Sequence, residues 1–79
     1  MIKVHLPELG EGIEKAVVSY WYFKVGDAVS EKDDLVEITT DKATFNVPSP
    51  CNGTLSEIFF QEGDTVNVGE ALCLIEEKE

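Results

Sequence analysis

Lys42 has the setting most suited to chemistry: an amine between Asp41 and Ala43, where two β-rich runs, residues 35–40 and 44–47, meet with neither Gly nor Pro between them. A chain reversing there holds the lysine at the tip of a tight hairpin. Two-residue hairpin loops favour Asn-Gly or Asp-Gly because the primed turns need positive φ, and Asp41-Lys42 supplies no glycine. The expectation is a type I turn with extra local twist, in which the Asp41 carboxylate accepts hydrogen bonds from nearby backbone N–H groups. The amine then points outward. An exposed turn offers neither the desolvation nor the supporting groups that would shift a lysine pKa, so Lys42 is not read as a catalytic nucleophile.

No other residue set competes with it. His5 stands alone in a predicted strand, and without a second histidine or matched cysteines there is no metal-binding constellation. Cys51 and Cys73 fall in no metal or redox spacing, and two cysteines are far from the density of a disulfide scaffold, so a reduced compartment is expected. Asp27, Glu31, Asp33 and Asp34 read as solvated turn acids, and Gly10-Glu11-Gly12 lacks the strand–loop–helix setting of a phosphate loop. With no nucleophile, base and oxyanion set, the domain by itself is read as non-enzymatic.

The elements that must carry Lys42 are all strands. β-branched and aromatic runs predict them at residues 2–6, 16–24, 28–29, 35–40, 44–47, 54–61, 65–66 and 71–76, with no sustained helical period anywhere. Residues 8–15, with two glycines among acids, form an exposed loop. Pro48-Ser49-Pro50 must leave the sheet or lie at its edge.

An internal repeat organises these strands. A shift of 37 superposes Gly26-Asp27-Ala28-Val29 on Gly63-Asp64-Thr65-Val66, Leu35 on Leu72 and Ile38 on Ile75, with Val18, Trp21 and Phe23 falling on Leu55, Ile58 and Phe60. Upstream the offset reads as 41, matching residues 4–7 to 45–48 and Gly12 to Gly53, so the first half carries four extra residues before Ala16. Four short strands per half cannot bury a face alone. The predicted solution is two four-stranded antiparallel sheets packed as a flattened β-barrel, a barrel-sandwich hybrid with quasi-twofold symmetry. The three-residue step in both apolar sets predicts a bulge that turns those side chains inward. Tyr20, Tyr22 and Phe59 then face out, Cys73 is buried and Cys51 exposed.

Composition bounds the partners. The 79 residues make one domain, spanning 1–79, that buries only roughly 60% of its unfolded surface. Sixteen acids against six lysines give a net charge of −10, which argues against nucleic acid and membrane as partners and favours a basic protein surface. No stretch approaches a membrane span and no targeting segment is visible.

The combination of Leu6-Pro7-Glu8-Leu9-Gly10-Glu11-Gly12-Ile13, Val25-Gly26-Asp27-Ala28-Val29, Thr40-Asp41-Lys42-Ala43, Val47-Pro48-Ser49-Pro50, Gly53 and Gly63-Asp64 resembles the lipoyl domain of the dihydrolipoyl acyltransferases of 2-oxo acid dehydrogenase complexes, in the biotinyl/lipoyl-carrier family. The likeness covers essentially the whole chain. It implies the flattened two-sheet fold, and it makes Lys42 the attachment residue for lipoic acid, held as lipoyl-lysine. Thr40, Asp41 and Ala43 become the recognition residues of the turn. Glu8, Gly10, Glu11, Gly12, Ile13 and Glu14 become the specificity surface, on a loop beside the hairpin. The implied partners are a lipoate-attaching enzyme, a thiamine-diphosphate-dependent 2-oxo acid dehydrogenase that reductively acylates the arm, the acyltransferase core that passes the acyl group to coenzyme A, and dihydrolipoyl dehydrogenase. A monomeric N-terminal module excised from a longer acyltransferase chain is implied, located in a prokaryotic cytoplasm or a mitochondrial matrix. Many relatives have Glu where this chain has Thr39, three residues before the lysine, and Gly-Glu-Gly-Ile has the flavour of branched-chain or broad-specificity complexes. The rival readings are a biotinyl carrier, which typically flanks its lysine with methionines, and an unmodified interaction module of the same architecture.

Overall fold

Val18 and Leu55, superposed by the repeat, are both wholly buried, and in both strands the cross-strand register slips just after them, between Val18 and Tyr20 and between Leu55 and Glu57. These are the predicted bulges. Beyond them Trp21, Phe23, Ile58 and Phe60 turn inward and pack half-buried against the core, while Tyr20, Tyr22 and Phe59 stay exposed. The Trp21 indole N–H donates to the Phe60 carbonyl at 3.0 Å, joining the two inserted aromatic segments. Regular pairing accordingly stops at the bulged ends, sooner than the apolar runs at 16–24 and 54–61 imply.

The computed structural model describes residues 1–78, and among them there is no helix. The strands are β1 (Ile2–His5), β2 (Lys15–Trp21), β3 (Ala28–Val29), β4 (Asp34–Thr39), β5 (Thr44–Pro48), β6 (Gly53–Ile58), β7 (Thr65–Asn67) and β8 (Ala71–Glu77). They form two antiparallel sheets of order β1-β8-β6-β3 and β5-β4-β2-β7. Advancing each strand of the first order by one half of the repeat produces the second, so the sheets are dyad copies of each other. They stack as a sandwich and do not close into a continuous barrel. Pro48 ends β5, an edge strand, where its missing N–H breaks no ladder.

Each half clasps the other. The Gly26 N–H donates to the Leu55 carbonyl at 2.7 Å and the Gly63 N–H to the Val18 carbonyl at 2.8 Å, with Leu55 and Val18 N–H groups returning bonds of 2.9 Å to Asp27 and Asp64. The two glycines have φ of 98° and 95°, a backbone region other residues enter at a cost, which is why Gly-Asp recurs at both turns. Asp27 and Asp64 close these turns by accepting from the N–H of Lys24 and Gln61, both at 2.8 Å. The core between the sheets is aliphatic, with Leu35, Ile38, Leu55, Leu72 and Ile75 wholly enclosed.

The structure corrects the upstream register. Val4 pairs with Cys73 and Val47 with Val36; since Cys73 and Val36 are 37 apart and Val4 and Val47 are 43 apart, the first-strand offset is 43. The connection between β1 and β2 is therefore six residues longer than its counterpart, the difference between 43 and 37. The two offsets differ by two residues and keep the same side chains inward, so the ladder pairings distinguish them: at 43, Val4 and Leu6 superpose on Val47 and Ser49, all buried. Gly53 accordingly superposes on Ala16 rather than on Gly12.

Cys51 is half-buried instead of exposed, because the segment after Pro48 stays against the core: Ser49 is buried and its hydroxyl donates to the Cys51 carbonyl at 2.7 Å. Burial, then the carboxylates of Glu77 and Glu31, push the Cys51 thiol above its ordinary pKa. Burial alone pushes Cys73 up to about 12, so it is an inert core thiol at neutral pH.

Candidate functional site

Strands β4 and β5 pair down to Thr39 and Thr44, leaving residues 40–43 as the hairpin tip. The Thr40 N–H donates to the Ala43 carbonyl at 2.8 Å. The Thr40 hydroxyl closes the loop: it donates to the same carbonyl at 2.9 Å and accepts from the N–H of Ala43 at 3.0 Å and of Lys42 at 3.2 Å. Neither Asp41 nor Lys42 has positive φ, in keeping with the glycine-free sequence. The expected role of Asp41 is corrected here. Its carboxylate accepts no hydrogen bond among the described residues, because the Thr40 hydroxyl, one residue closer to the strand, reaches the same N–H groups first.

Asp41, Lys42 and Ala43 are exposed and Thr40 is half-buried. The Thr40→Val domain, isosteric but without the hydroxyl, is expected to lose about 1 kcal/mol in urea denaturation, with faster hydrogen exchange at the Ala43 amide; Thr40→Ser restores both. Unchanged exchange in the valine variant would show that the strands alone set the turn.

The loop between β1 and β2 is pinned at both ends to the turn that precedes β8. The Leu6 N–H donates to Glu70 and the Gly69 N–H to Leu6, both at 2.9 Å, while the Val68 N–H donates to Glu14 at 2.9 Å. Between these anchors the Ile13 N–H bonds back to Gly10 at 3.2 Å. His5 takes part, its Nδ1 donating to the Gly69 carbonyl at 3.0 Å. The loop therefore leans against the hairpin: a Cβ built on Gly12 would lie 3.9 Å from the Lys42 Nζ.

A groove of about 600 Å³ runs beside the lysine. Of the residues singled out in the sequence, it brings together Thr40, Asp41 and Lys42 with Gly12, Ile13 and Glu14. Ala43, Glu8, Gly10 and Glu11 are exposed but do not line it. The sequence reading missed Val17 of β2 and Thr65 and Asn67 of β7, which form its far side. The repeat aligns β7 with β3 but does not disclose that β7 pairs with β2, at Lys15–Asn67 and Val17–Thr65. A second hollow, of about 640 Å³, lies between the post-bulge segments around Trp21 and Ile58, away from the hairpin.

The family described as "Biotin-requiring enzyme" matches residues 2–75. The chain is 46% identical over 76 residues to the dihydrolipoyllysine-residue succinyltransferase component of the 2-oxoglutarate dehydrogenase complex of Rickettsia typhi, covering 96% of this chain and 19% of that protein. It is 41% identical over 71 residues to the lipoamide acyltransferase component of the branched-chain alpha-keto acid dehydrogenase complex of Bacillus subtilis, covering 90% and 17%. The chain thus spans about a fifth of the length of these curated relatives. The solution structure of the lipoyl domain of the 2-oxoglutarate dehydrogenase complex from Azotobacter vinelandii superposes with a TM-score of 0.81 at 35% identity over the whole of both chains.

Proposed function

Because the chain belongs to the biotin- and lipoyl-carrier family and has the fold of its lipoyl domains, we propose that it is the carrier module of a 2-oxo acid dehydrogenase acyltransferase, with Lys42 as the residue that holds lipoic acid. One observation supports this most: the Lys42 amine is exposed at the apex of a hairpin whose loop is closed by a side chain other than its own. The donor fits the group. A primary amine on an exposed residue supplies the nitrogen of an amide, and the tip has room for a long substituent. When bound, the lipoyl group supplies a ring disulfide able to take up electrons and an acyl group together.

The chain's own part is presentation. The Thr40 network and the β4–β5 ladder fix the Lys42 backbone, so the attachment enzyme meets the amine in one orientation. Glu14 and Asp41 beside the lysine, on a chain of net charge −10, suit basic surfaces on the dehydrogenase and the other components. As one module of a longer acyltransferase, the domain would meet each partner intramolecularly, at effective concentrations on the order of mM for short flexible linkers. In this scheme the module catalyses nothing itself; the dehydrogenase, the acyltransferase core and dihydrolipoyl dehydrogenase do.

Incubated with a lipoate-attaching enzyme, ATP and lipoate, the domain is expected to gain one lipoyl group by intact mass, and fragmentation to place it on Lys42. Modification of another lysine, or addition of biotin in its place, overturns the reading.

A further inference from the structure

We propose that the groove beside the hairpin is a docking site for the arm itself: the aliphatic chain and dithiolane ring of a lipoyl group on Lys42 lie back along Val17 and Ile13 when no partner is engaged. The inference rests on the reading of Lys42 as the attachment residue. Two departures from the dyad surround this groove.

Val17 is 41% exposed on the outer face of its sheet, between Thr39 on β4 and Thr65 on β7. Its dyad counterpart is Thr54, between Glu76 and Ala28 on the other sheet. A polar residue satisfies the scaffold at that position, so packing does not demand the valine. The second departure is the six-residue excess between β1 and β2, which contributes Gly12, Ile13 and Glu14 to the groove wall and has no equivalent near Thr54. Both departures fall at the end that carries Lys42.

The lysine forms part of the same wall, and its Nζ sits over Gly12 rather than free of the loop. Whatever is attached there starts at the mouth of the groove and needs no encounter to enter it. Thr39 is three residues from Lys42, at most about 11 Å along an extended chain, a span that an octanoyl-length arm matches. The apolar strip of Ile13, Val17 and the neighbouring threonine methyls suits methylenes and a sulfur ring, which lose exposed apolar surface on settling there.

The test uses the lipoylated domain, its modification site first established by mass. Relative to the unmodified domain, amide NMR shifts are expected at Ile13, Val17 and Thr65 as well as at the tip. An arm docked about two-thirds of the time would be reduced by a water-soluble phosphine about threefold more slowly than free lipoamide. Val17→Thr, which copies the dyad partner and leaves the strand intact, should remove the distant shifts and restore the free rate. Shifts confined to residues 40–43 with reduction at the free rate overturn the docking site and leave the attachment reading standing. A Val17→Thr domain as protected as the parent overturns it as well, as does protection seen only when the dehydrogenase is added, which assigns the groove to that partner. If no lipoyl group is found on Lys42, both readings fall together.

Discussion

Lipoate incorporation into a Lys42→Arg domain is expected to be nil, and exchange of the two tip residues, Asp41→Lys with Lys42→Asp, is expected to slow it about 100-fold, the order of loss that follows a misplacement of about 1 Å. Arginine fails for a chemical reason, since its guanidinium stays protonated and delocalised and supplies no amine nucleophile. The exchange tests geometry alone. Composition, net charge and local charge are unchanged, both positions are exposed, and neither side chain contributes a hydrogen bond to the turn among the described residues. What changes is direction: successive residues at a hairpin tip project differently, and the Thr40 network holds the Lys42 backbone in one of those orientations. Initial rates followed by intact mass, with urea midpoints to verify equal stability, give the answer. Equal rates for parent and exchanged domains would mean that the attachment enzyme accepts any exposed amine on the tip and that the orientation set by the Thr40 network plays no part.

The largest stability loss from a single methyl is expected at Gly53. A Cβ there would lie 2.2 Å from the Glu76 carbonyl oxygen, 2.8 Å from the Ile75 Cγ2 and 3.0 Å from the Glu76 carbonyl carbon. The first and last of these are backbone atoms of the paired strand, which cannot swing aside as a side chain would. Gly53→Ala must therefore prise β6 from β8 at the Gly53–Glu77 pair, at a cost of about 3 kcal/mol or more. For a domain of this size, total stability is on the order of 4–12 kcal/mol, so the variant is expected to be partly unfolded at 37 °C.

The dyad supplies the control. Ala16, which superposes on Gly53, is buried with its methyl accommodated, because the β2–β4 ladder begins only at Val17–Thr39 while β6–β8 runs one pair further, to Gly53–Glu77. Ala16→Gly should cost only about 1 kcal/mol, from lost burial and added backbone freedom. Urea midpoints at unchanged m-value would measure both. A Gly53→Ala cost near that of Ala16→Gly would show slack at the strand end that the geometry denies.

The two-sheet symmetric plan, the bulges and the hairpin that carries Lys42 can be read from the residues alone, because each leaves a mark within a few residues or at a fixed period: Gly-Asp recurring 37 residues on, a three-residue apolar step repeated in both halves, two β runs meeting at one lysine. The first-strand offset of 43, the closure of the turn by Thr40 instead of Asp41, the burial around Cys51, and the groove that unites Ile13, Val17 and Thr65 with Lys42 emerge from the folded chain and not before it. These depend on which strand lies beside which and how far each ladder runs. Local propensity carries no record of such pairings, for they are fixed by the shared burial of side chains far apart along the chain.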